Sequence, residues 1–513
     1  MITAAAVLVL AASAGAAITL AMAPFNLWWL AVLSPAVLFA LLATCRRRLG
    51  LWAAYVYGVG YFGVGGHWIY FSVGQYGAGP APALLFCLLL ALLFGVLIWA
   101  CGLLWHVLVG PHRSRVWALW VVLPACWVLI EWVRSWLLTG TTWLQLGYSQ
   151  LDGWLAGYAP LVGALGISAL LAVLAGGFGA ALVASRHVAT TRVPVWVAWS
   201  APPLLGVGLA LGGAALERWD WTEPAGPHLS AALLQGNVPQ DQKWQWEHRA
   251  EQIDRYLTMS RAHWGVDVVI WPETAIPAYH HQVQRALLDP LRQESALAGS
   301  AVLVGVPSMD AERVRAFNSL FLLGGGDEAY HKRHLVPFGE YVPLRRQLGP
   351  LLDVFGAPLG DFTAGSEATL LSVAGAVLAP TICYEVTMPR LVRDFLPAAT
   401  VLVNLSNDAW FGDSIGPAQH YQIAAMRALE LGRPLLRATN DGITAAVDHR
   451  GRELARLPRF VTDALVVTVE PRGGLTPYAR HGDRPLLWVL TMALLLALGL
   501  RARAWVGAGV RRG

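Results

Sequence analysis

Long apolar blocks fill the first 216 positions, and polar residues return in number only after them. No charged side chain occurs before Arg46, and a break at Pro24-Phe-Asn26 divides that opening block in two. Further uncharged stretches run over 49–79, 80–112, 116–130, 160–185 and 193–216, the 116–130 stretch being completed by residues up to about Leu138. Each is close to the ~20 residues a helix needs to cross the hydrocarbon core. A last stretch, Pro485 to Leu500, is short, but flanking arginines can snorkel to the interface. The pattern predicts eight spans, seven before a polar segment and one after it.

From about Leu229 to Glu470 the period changes. Short apolar runs predict strands over Ala231–Gln235, Val266–Trp271, Ala301–Val306, Asn318–Leu323, Ala329–His334, Ala376–Ile382, Thr400–Leu405, Leu435–Ala438, Thr444–Val447 and Leu465–Val469. Amphipathic stretches between them predict helices over Trp246–His263, His281–Ala298, Thr387–Phe395 and Pro417–Leu431. Strands interleaved with helices argue a layered α/β domain. Three parts follow: a seven-span bundle over 1–220, the polar domain over 221–475, and an eighth span over 484–505. Pro224-Ala-Gly-Pro227 reads as the hinge that opens the polar domain.

Composition sharpens this picture. The chain is 56% hydrophobic and 13% charged, outside the range of soluble domains. Only ten of its Asp, Glu, Lys and Arg residues fall within 1–216. Arg46, Arg47 and Arg48 follow span two, Arg113 and Arg115 span four, Arg186 and Arg192 span six, and Arg501, Arg503, Arg511 and Arg512 span eight; the alternate loops hold almost none. Positive charge marks the cytoplasmic side. Both termini are therefore expected inside and the polar domain outside. The same arginines account for the net charge of +5, so no nucleic-acid partner is needed. Ala21-Met-Ala23 has the form of a signal-peptidase site, but the basic n-region is missing and a second span follows at once, which favours an uncleaved first span. Glu131 and Arg134 lie three apart near the outer end of span five and read as an interfacial ion pair, a headgroup contact being the alternative.

Cys45, Cys87, Cys101 and Cys126 lie in or beside spans and read as small apolar fillers. Cys383 stands apart as the only cysteine of the polar domain, at the end of the apolar run Ala376–Ile382. Two further chemical groups end apolar runs: Glu273 in Trp271-Pro-Glu273 and Lys332 in His331-Lys-Arg333. Each has an ordinary reading beside the chemical one. Glu273 could be a first-turn helix acid, Lys332 one residue of a solvated basic patch, and Cys383 an inert buried thiol. Taken together they make a thiol nucleophile, a base and a cation for the oxyanion, which is chemistry for acyl transfer. The sequence contains no metal-ligand cluster and no nucleotide-binding glycine loop, so no cofactor is expected.

The order and context of these three residues resemble the nitrilase, or carbon–nitrogen hydrolase, superfamily. Further strings extend the likeness over nearly the full length to that superfamily's membrane-bound branch: Glu131-Trp-Val-Arg134, Trp143-Leu-Gln-Leu-Gly-Tyr-Ser-Gln150, Gln235-Gly-Asn-Val-Pro239, Leu335-Val-Pro-Phe-Gly-Glu340 and Asn404-Leu-Ser-Asn-Asp-Ala-Trp-Phe-Gly412. The resemblance implies an α-β-β-α sandwich with a Glu273, Lys332, Cys383 triad, carried by a membrane helical bundle. It adds Glu340 as a second acid near Lys332, Tyr384 and Glu385 beside the nucleophile, and Trp244 near the substrate, a place that Trp246 would fill equally well. It also implies the reaction: an acyl chain passes from a membrane phospholipid, through a thioester, to the α-amine of a diacylglyceryl-apolipoprotein at the bacterial inner membrane, with the catalytic domain in the periplasm. Tyr341 to Phe362 mixes Leu348, Leu351, Leu352, Val354, Phe355 and Leu359 with Gly and Pro, and reads either as a lid at the lipid surface or as an ordinary loop.

Two other classes remain open at this stage. A membrane-tethered amidase or nitrilase would use the same triad with water as acceptor, though eight spans exceed what a tether needs. A transporter or receptor with a ligand-binding outer domain would carry polar residues within its spans, and these spans hold nearly none.

Overall fold

The computed structural model describes residues 3–74, 79–109, 116–186, 194–325, 328–343 and 361–510. Arg113, Arg115, Arg192, Arg511 and Arg512 lie outside them, as does 344–360, the greater part of the candidate lid. The chain divides into two compact units. One comprises Met1–Tyr70, Leu84–Trp219 and Arg480–Gly513, the other Phe71–Ala83 and Asp220–Ala479.

The first unit is helical. Among the described residues, six helices are long and apolar enough to cross a membrane: Ala4–Ala21, Pro80–Val109, Trp117–Arg134, Ala156–Ser185, Val195–Leu216 and Arg484–Arg503. Leu30–Thr44 is apolar but shorter, and Arg47–Gly65 opens on two arginines. Helices in an apolar setting associate through small residues and polar bridges. Here Ser34 Oγ donates to the Ala14 carbonyl at 2.6 Å and lies 2.7 Å from the Tyr57 hydroxyl, tying three helices at one point. The fifth predicted span stops earlier than expected. Its helix ends at Arg134, and Leu138 and Thr139 take left-handed backbone angles that no helix continues through. Glu131 and Arg134 are buried and bond elsewhere, which corrects the interfacial ion pair. Glu131 accepts from the Trp127 indole at 3.0 Å and from the Leu146 amide at 3.1 Å, while Arg134 donates to the Trp143 carbonyl.

The second unit contains the strands β1 (Glu223–Pro224), β2 (Leu229–Gln235), β3 (Val268–Ile270), β4 (Ala301–Gly305), β5 (Ser308–Met309), β6 (Ala316–Phe317), β7 (Ser319–Leu323), β8 (Ala329–His331), β9 (Leu371–Val373), β10 (Ala376–Ile382), β11 (Val401–Ser406), β12 (Leu435–Thr439), β13 (Ala445–Val447), β14 (Glu453–Arg456), β15 (Asp463–Val469) and β16 (Arg472–Gly473). Two six-stranded sheets result, ordered β15-β2-β3-β4-β7-β8 and β14-β13-β12-β11-β10-β9. Each has a parallel centre, β2-β3-β4 in one and β10-β11-β12 in the other, with antiparallel strands outside. Residues of β3, β4, β11 and β12 are buried on both faces; β3 and β4 therefore read as unbroken apolar runs, whereas β11 and β12 also bury Asn404, Ser406, Arg437 and Thr439. Asn440 joins the sheets: its amide donates to the Val238 carbonyl at 2.7 Å and its side-chain oxygen accepts from the Val238 amide at 2.9 Å. Tyr256 from helix Trp246–Arg261 and Leu291 from helix Asp289–Leu297 pack on Val269, Trp271, Val302 and Val304 of the first sheet. Helix Gly416–Leu431 covers the second. It starts with Pro417 in the first turn and stops at Gly432, whose φ of +62° only glycine adopts readily.

Several predicted elements shift. The helix expected over His281–Ala298 is interrupted by a π turn at Gln284–Leu288. Thr387–Phe395 is a 3₁₀ turn, Cys383–Thr387, followed by the short helix Pro389–Arg393. Pro224 is not in a free hinge, because β1 pairs with β16.

Candidate active site

Parallel strands in a sheet present their carboxyl ends together, and ligands bind at such ends. Glu273 follows β3, Cys383 follows β10, Asn407 and Asp408 follow β11, and Asp441 follows β12. Lys332 follows β8 at the edge of the first sheet.

Glu273 is held against β4. A Cβ on Gly305 would stand 2.4 Å from the Pro272 carbonyl and 2.9 Å from the Glu273 Cα, so only glycine allows this approach. The buried carboxylate is fully engaged. Oε1 accepts from Asn318 Nδ2 at 2.8 Å and from Lys332 Nζ at 3.5 Å, and Oε2 accepts from the Asn407 amide at 2.9 Å.

Lys332 is only 1% exposed. Its ammonium donates to Glu340 Oε1 at 2.9 Å and lies 2.9 Å from Glu340 Oε2. Asn318 Nδ2 also reaches Glu340 Oε1, at 2.9 Å, so one amide braces both acids. Burial works against the ammonium, but Glu340 and then Glu273 outweigh it and push its pKa well up. Lys332 is a permanent cation.

Cys383 opens a 3₁₀ turn with φ +52°, a conformation costly for a residue with a side chain and common at functional sites. Its carbonyl accepts from Asn404 Nδ2 and from His420 Nε2, both at 3.2 Å. Burial and the Glu273 carboxylate push the thiol up, while Lys332 pulls it down. The resting group is therefore a neutral thiol in the field of a carboxylate, and a nucleophilic role for it would require a base to take its proton.

Behind Cys383 lies a buried ionic cluster. Asp408 accepts from Ser406 Oγ at 2.7 Å and from Arg437 at 2.8 Å, with His420 Nδ1 at 3.1 Å. Burial opposes ionisation of Asp408, yet Arg437 and His420 hold its carboxyl far below the ordinary range. Burial and Arg437 lower His420, while Asp408 works the other way, and its Nε2 lies 3.2 Å from the Cys383 carbonyl.

The structure thus bonds Glu273, Lys332 and Glu340 into one cluster and sets the Cys383 thiol within its field. Glu385 lies in the same turn as Cys383 and is tied to four donors. Oε1 accepts from Tyr330 at 2.9 Å and from the Arg333 and His334 amides at 2.6 and 3.1 Å, and Oε2 accepts from the Ile382 amide at 2.7 Å. It clamps the segment after Lys332 to the end of β10, and burial pushes its pKa up to about 7. Tyr384 is half-buried, its ring 5.9 Å from that of His334. Trp244 is 53% exposed and Trp246 73%, the latter under Arg249 at 4.3 Å. The sequence reading missed Asn318, Lys243, His420 and Arg437. Arg437 had a visible signal, an arginine inside the apolar run Leu435-Leu-Arg-Ala-Thr439. Among the described residues no three His, Cys, Asp or Glu side chains are grouped as metal ligands.

Two packed sheets with a carboxylate, an ammonium and a thiol gathered at their strand ends define the carbon–nitrogen hydrolase class, and residues 230–478 match the carbon-nitrogen hydrolase family. Residues 14–177 match the apolipoprotein N-acyltransferase N-terminal domain. The chain belongs to the apolipoprotein N-acyltransferase family and is an acyltransferase of the carbon–nitrogen hydrolase superfamily. It is 42% identical over 487 residues to the apolipoprotein N-acyltransferase of Methylococcus capsulatus, covering 94% of this chain and 93% of that one. It is 40% identical over 501 residues to that of Vibrio vulnificus, covering 95% of each. A CN-hydrolase superfamily protein of Xanthomonas campestris, 19% identical, aligns with 47% of this chain and 90% of its own at a TM-score of 0.35.

Proposed function

We propose that the chain N-acylates lipoproteins: it moves an acyl chain from a membrane phospholipid to the α-amine of diacylglyceryl-cysteine apolipoproteins, through a thioester on Cys383. Glu273 takes the thiol proton as the sulfur attacks the ester carbonyl. Lys332 and the backbone N–H after Cys383 stabilise the oxyanion; one such donor is worth about 2.7–4 kcal/mol. The carbon–oxygen bond breaks, Glu273 returns the proton to the leaving alkoxide, and a lysophospholipid departs. The α-amine then attacks the thioester and gives a proton to Glu273, which passes it to the leaving thiolate. An amide replaces a thioester, so the second half runs downhill. Glu340 keeps Lys332 in place, Glu385 and Tyr384 shape the turn beside the nucleophile, and Trp244 meets the lipid.

Membrane placement belongs to the same reading. Both substrates are held in the bilayer by ~0.8 kcal/mol per buried CH₂, so the reaction belongs at a leaflet surface. We take Leu30–Thr44 and Arg47–Gly65 to cross together with the six longer helices, giving eight spans in the bacterial inner membrane. The loop arginines then put both termini in the cytoplasm and the catalytic domain, 221–475, in the periplasm, between a bundle over 1–220 and a last span over 484–505.

The cluster of Glu273, Lys332 and Glu340 with Cys383 carries this reading. Mass spectrometry of the purified protein after incubation with phospholipid tests it. An acyl adduct on Cys383, absent from Cys383→Ser and discharged by a diacylglyceryl-cysteine peptide, is expected. A protein that never acylates but hydrolyses small amides is a tethered amidase instead.

A further inference from the structure

We propose that Lys243 is a second cation of this site, a positioning residue that fixes the strand end bearing Glu273 and whose charge favours the thiolate of Cys383. The proposal rests on the thioester reading above.

Lys243 lies in the loop after β2, one residue before Trp244, and its side chain is turned inward, 4% exposed where its neighbour stands open. Nζ donates to the Glu273 backbone carbonyl at 3.1 Å. The same loop grips the other side of Glu273: Gln240 Oε1 accepts from Asn407 Nδ2 at 2.8 Å, and the Asn407 amide binds Glu273 Oε2. A stretch of four residues thus holds both the main chain and the carboxylate of the base.

The ammonium has three hydrogens and, among the described residues, one neutral acceptor and no ion pair. Burying a cation so thinly satisfied is costly, and a methionine would pack there without that cost. The charge itself is therefore what the position retains. Three groups face it: Glu273 from the end of β3, Asp441 from the end of β12 and Cys383 from the end of β10. Asp441 in turn faces Asp408 and Arg459, and Lys332 faces Glu273 and Cys383 from the β8 side. The base and nucleophile thus stand in the fields of two lysines that differ in one respect. Glu340 locks Lys332 in its charged form. Lys243 lacks such a partner, and burial lowers it to about 8 against the pull of Glu273, Asp441 and Cys383. It is cationic near neutral pH and loses its charge under mildly alkaline conditions.

The test measures single-turnover acylation of Cys383 by phospholipid with the full-length protein in micelles, from about pH 6 to about pH 10, beside thermal unfolding of each variant. The wild-type rate is expected to fall as pH rises through about 8. Lys243→Met should acylate about tenfold to a hundredfold more slowly per folded molecule, the worth of one to two pKa units at the reacting thiol. Lys243→Arg should acylate without the alkaline fall, because a guanidinium stays charged. A Lys243→Met protein that melts earlier but keeps the wild-type rate and pH profile overturns the proposal, since its role is then structural. An alkaline fall that persists in Lys243→Arg overturns it too, and that variant alone decides if the methionine protein does not fold. If the wild type forms no adduct on Cys383, the thioester reading fails first and takes this proposal with it.

Discussion

Replacing Lys332 with methionine tests the site most directly, because it separates what the ammonium does for stability from what it does for the reaction. Nζ lies 2.9 Å from both Glu340 oxygens and 3.5 Å from Glu273 Oε1, buried from solvent. Without it two carboxylates face one another, braced by the single amide of Asn318. Breaking a buried pair from one side costs about 3–5 kcal/mol at neutral pH. The variant can recover part of that cost by taking up a proton. The shared proton gives the acid pair a folded pKa above the unfolded ~4.3, so the pair's contribution to the variant's stability is greatest below about pH 4 and is lost as pH rises through the raised value. Wild type has no such slope from Lys332, whose raised pKa keeps its contribution intact up to the ordinary lysine range. The stability gap between the two proteins should therefore widen between about pH 4 and pH 7. Acylation of Cys383 should fall about 10²–10³-fold, the cost of one oxyanion donor. Adding Glu340→Gln to Lys332→Met removes one of the opposed charges, and should restore stability without restoring rate. Chemical denaturation in micelles reads the first quantity and intact-mass detection of the Cys383 adduct the second. A Lys332→Met protein that acylates at the wild-type rate, or a double variant that regains the rate along with the stability, refutes the role given to the ammonium.

Two other substitutions probe the frame around the site. Gly305→Ala places a methyl 2.4 Å from the Pro272 carbonyl and 2.7 Å from the Thr274 amide; overpacking of this kind costs about 1–3 kcal/mol, and the displacement of Glu273 should lower the acylation rate more than it lowers the unfolding midpoint. Asp408→Asn strands the buried Arg437 and should destabilise by about 3–5 kcal/mol at neutral pH. Because the folded pKa of Asp408 is depressed, its contribution is present above the unfolded ~3.9 and is lost as pH falls through the lower folded value, so acid titration of unfolding should show a slope in wild type that the variant lacks.

Much of this protein was legible along the chain because its signals are local. Span-length apolar blocks, the helix Trp246–Arg261 and the buried strand Ala376–Ile382 show in composition and period alone. Among the strands that escaped, β1, β5, β6 and β16 are two-residue pairings, and two belong to the large sheets. Leu371–Val373 is too short to show a period and Glu453–Arg456 is mostly exposed and polar, and only pairing with β10 and β13 makes them strands. Glu385 illustrates the same limit within the site. Its place beside Cys383 was expected, but what it bonds was not: four donors from Tyr330, Arg333, His334 and Ile382 make it a clamp. Asn318 and Lys243 carried no motif of their own, and their meaning lies in contacts to Glu273 from 45 and 30 residues away.

The sequence by itself determined which chemical groups this chain carries, their order, and the apolar lengths that mark its helices, since those properties reside in single residues and their near neighbours. The tertiary structure decided which charge meets which, how deeply each is buried, and hence that one lysine is locked as a cation while another is poised to lose its proton. Distance and solvent access set those energies, and both arise only when strands far apart in the chain end side by side.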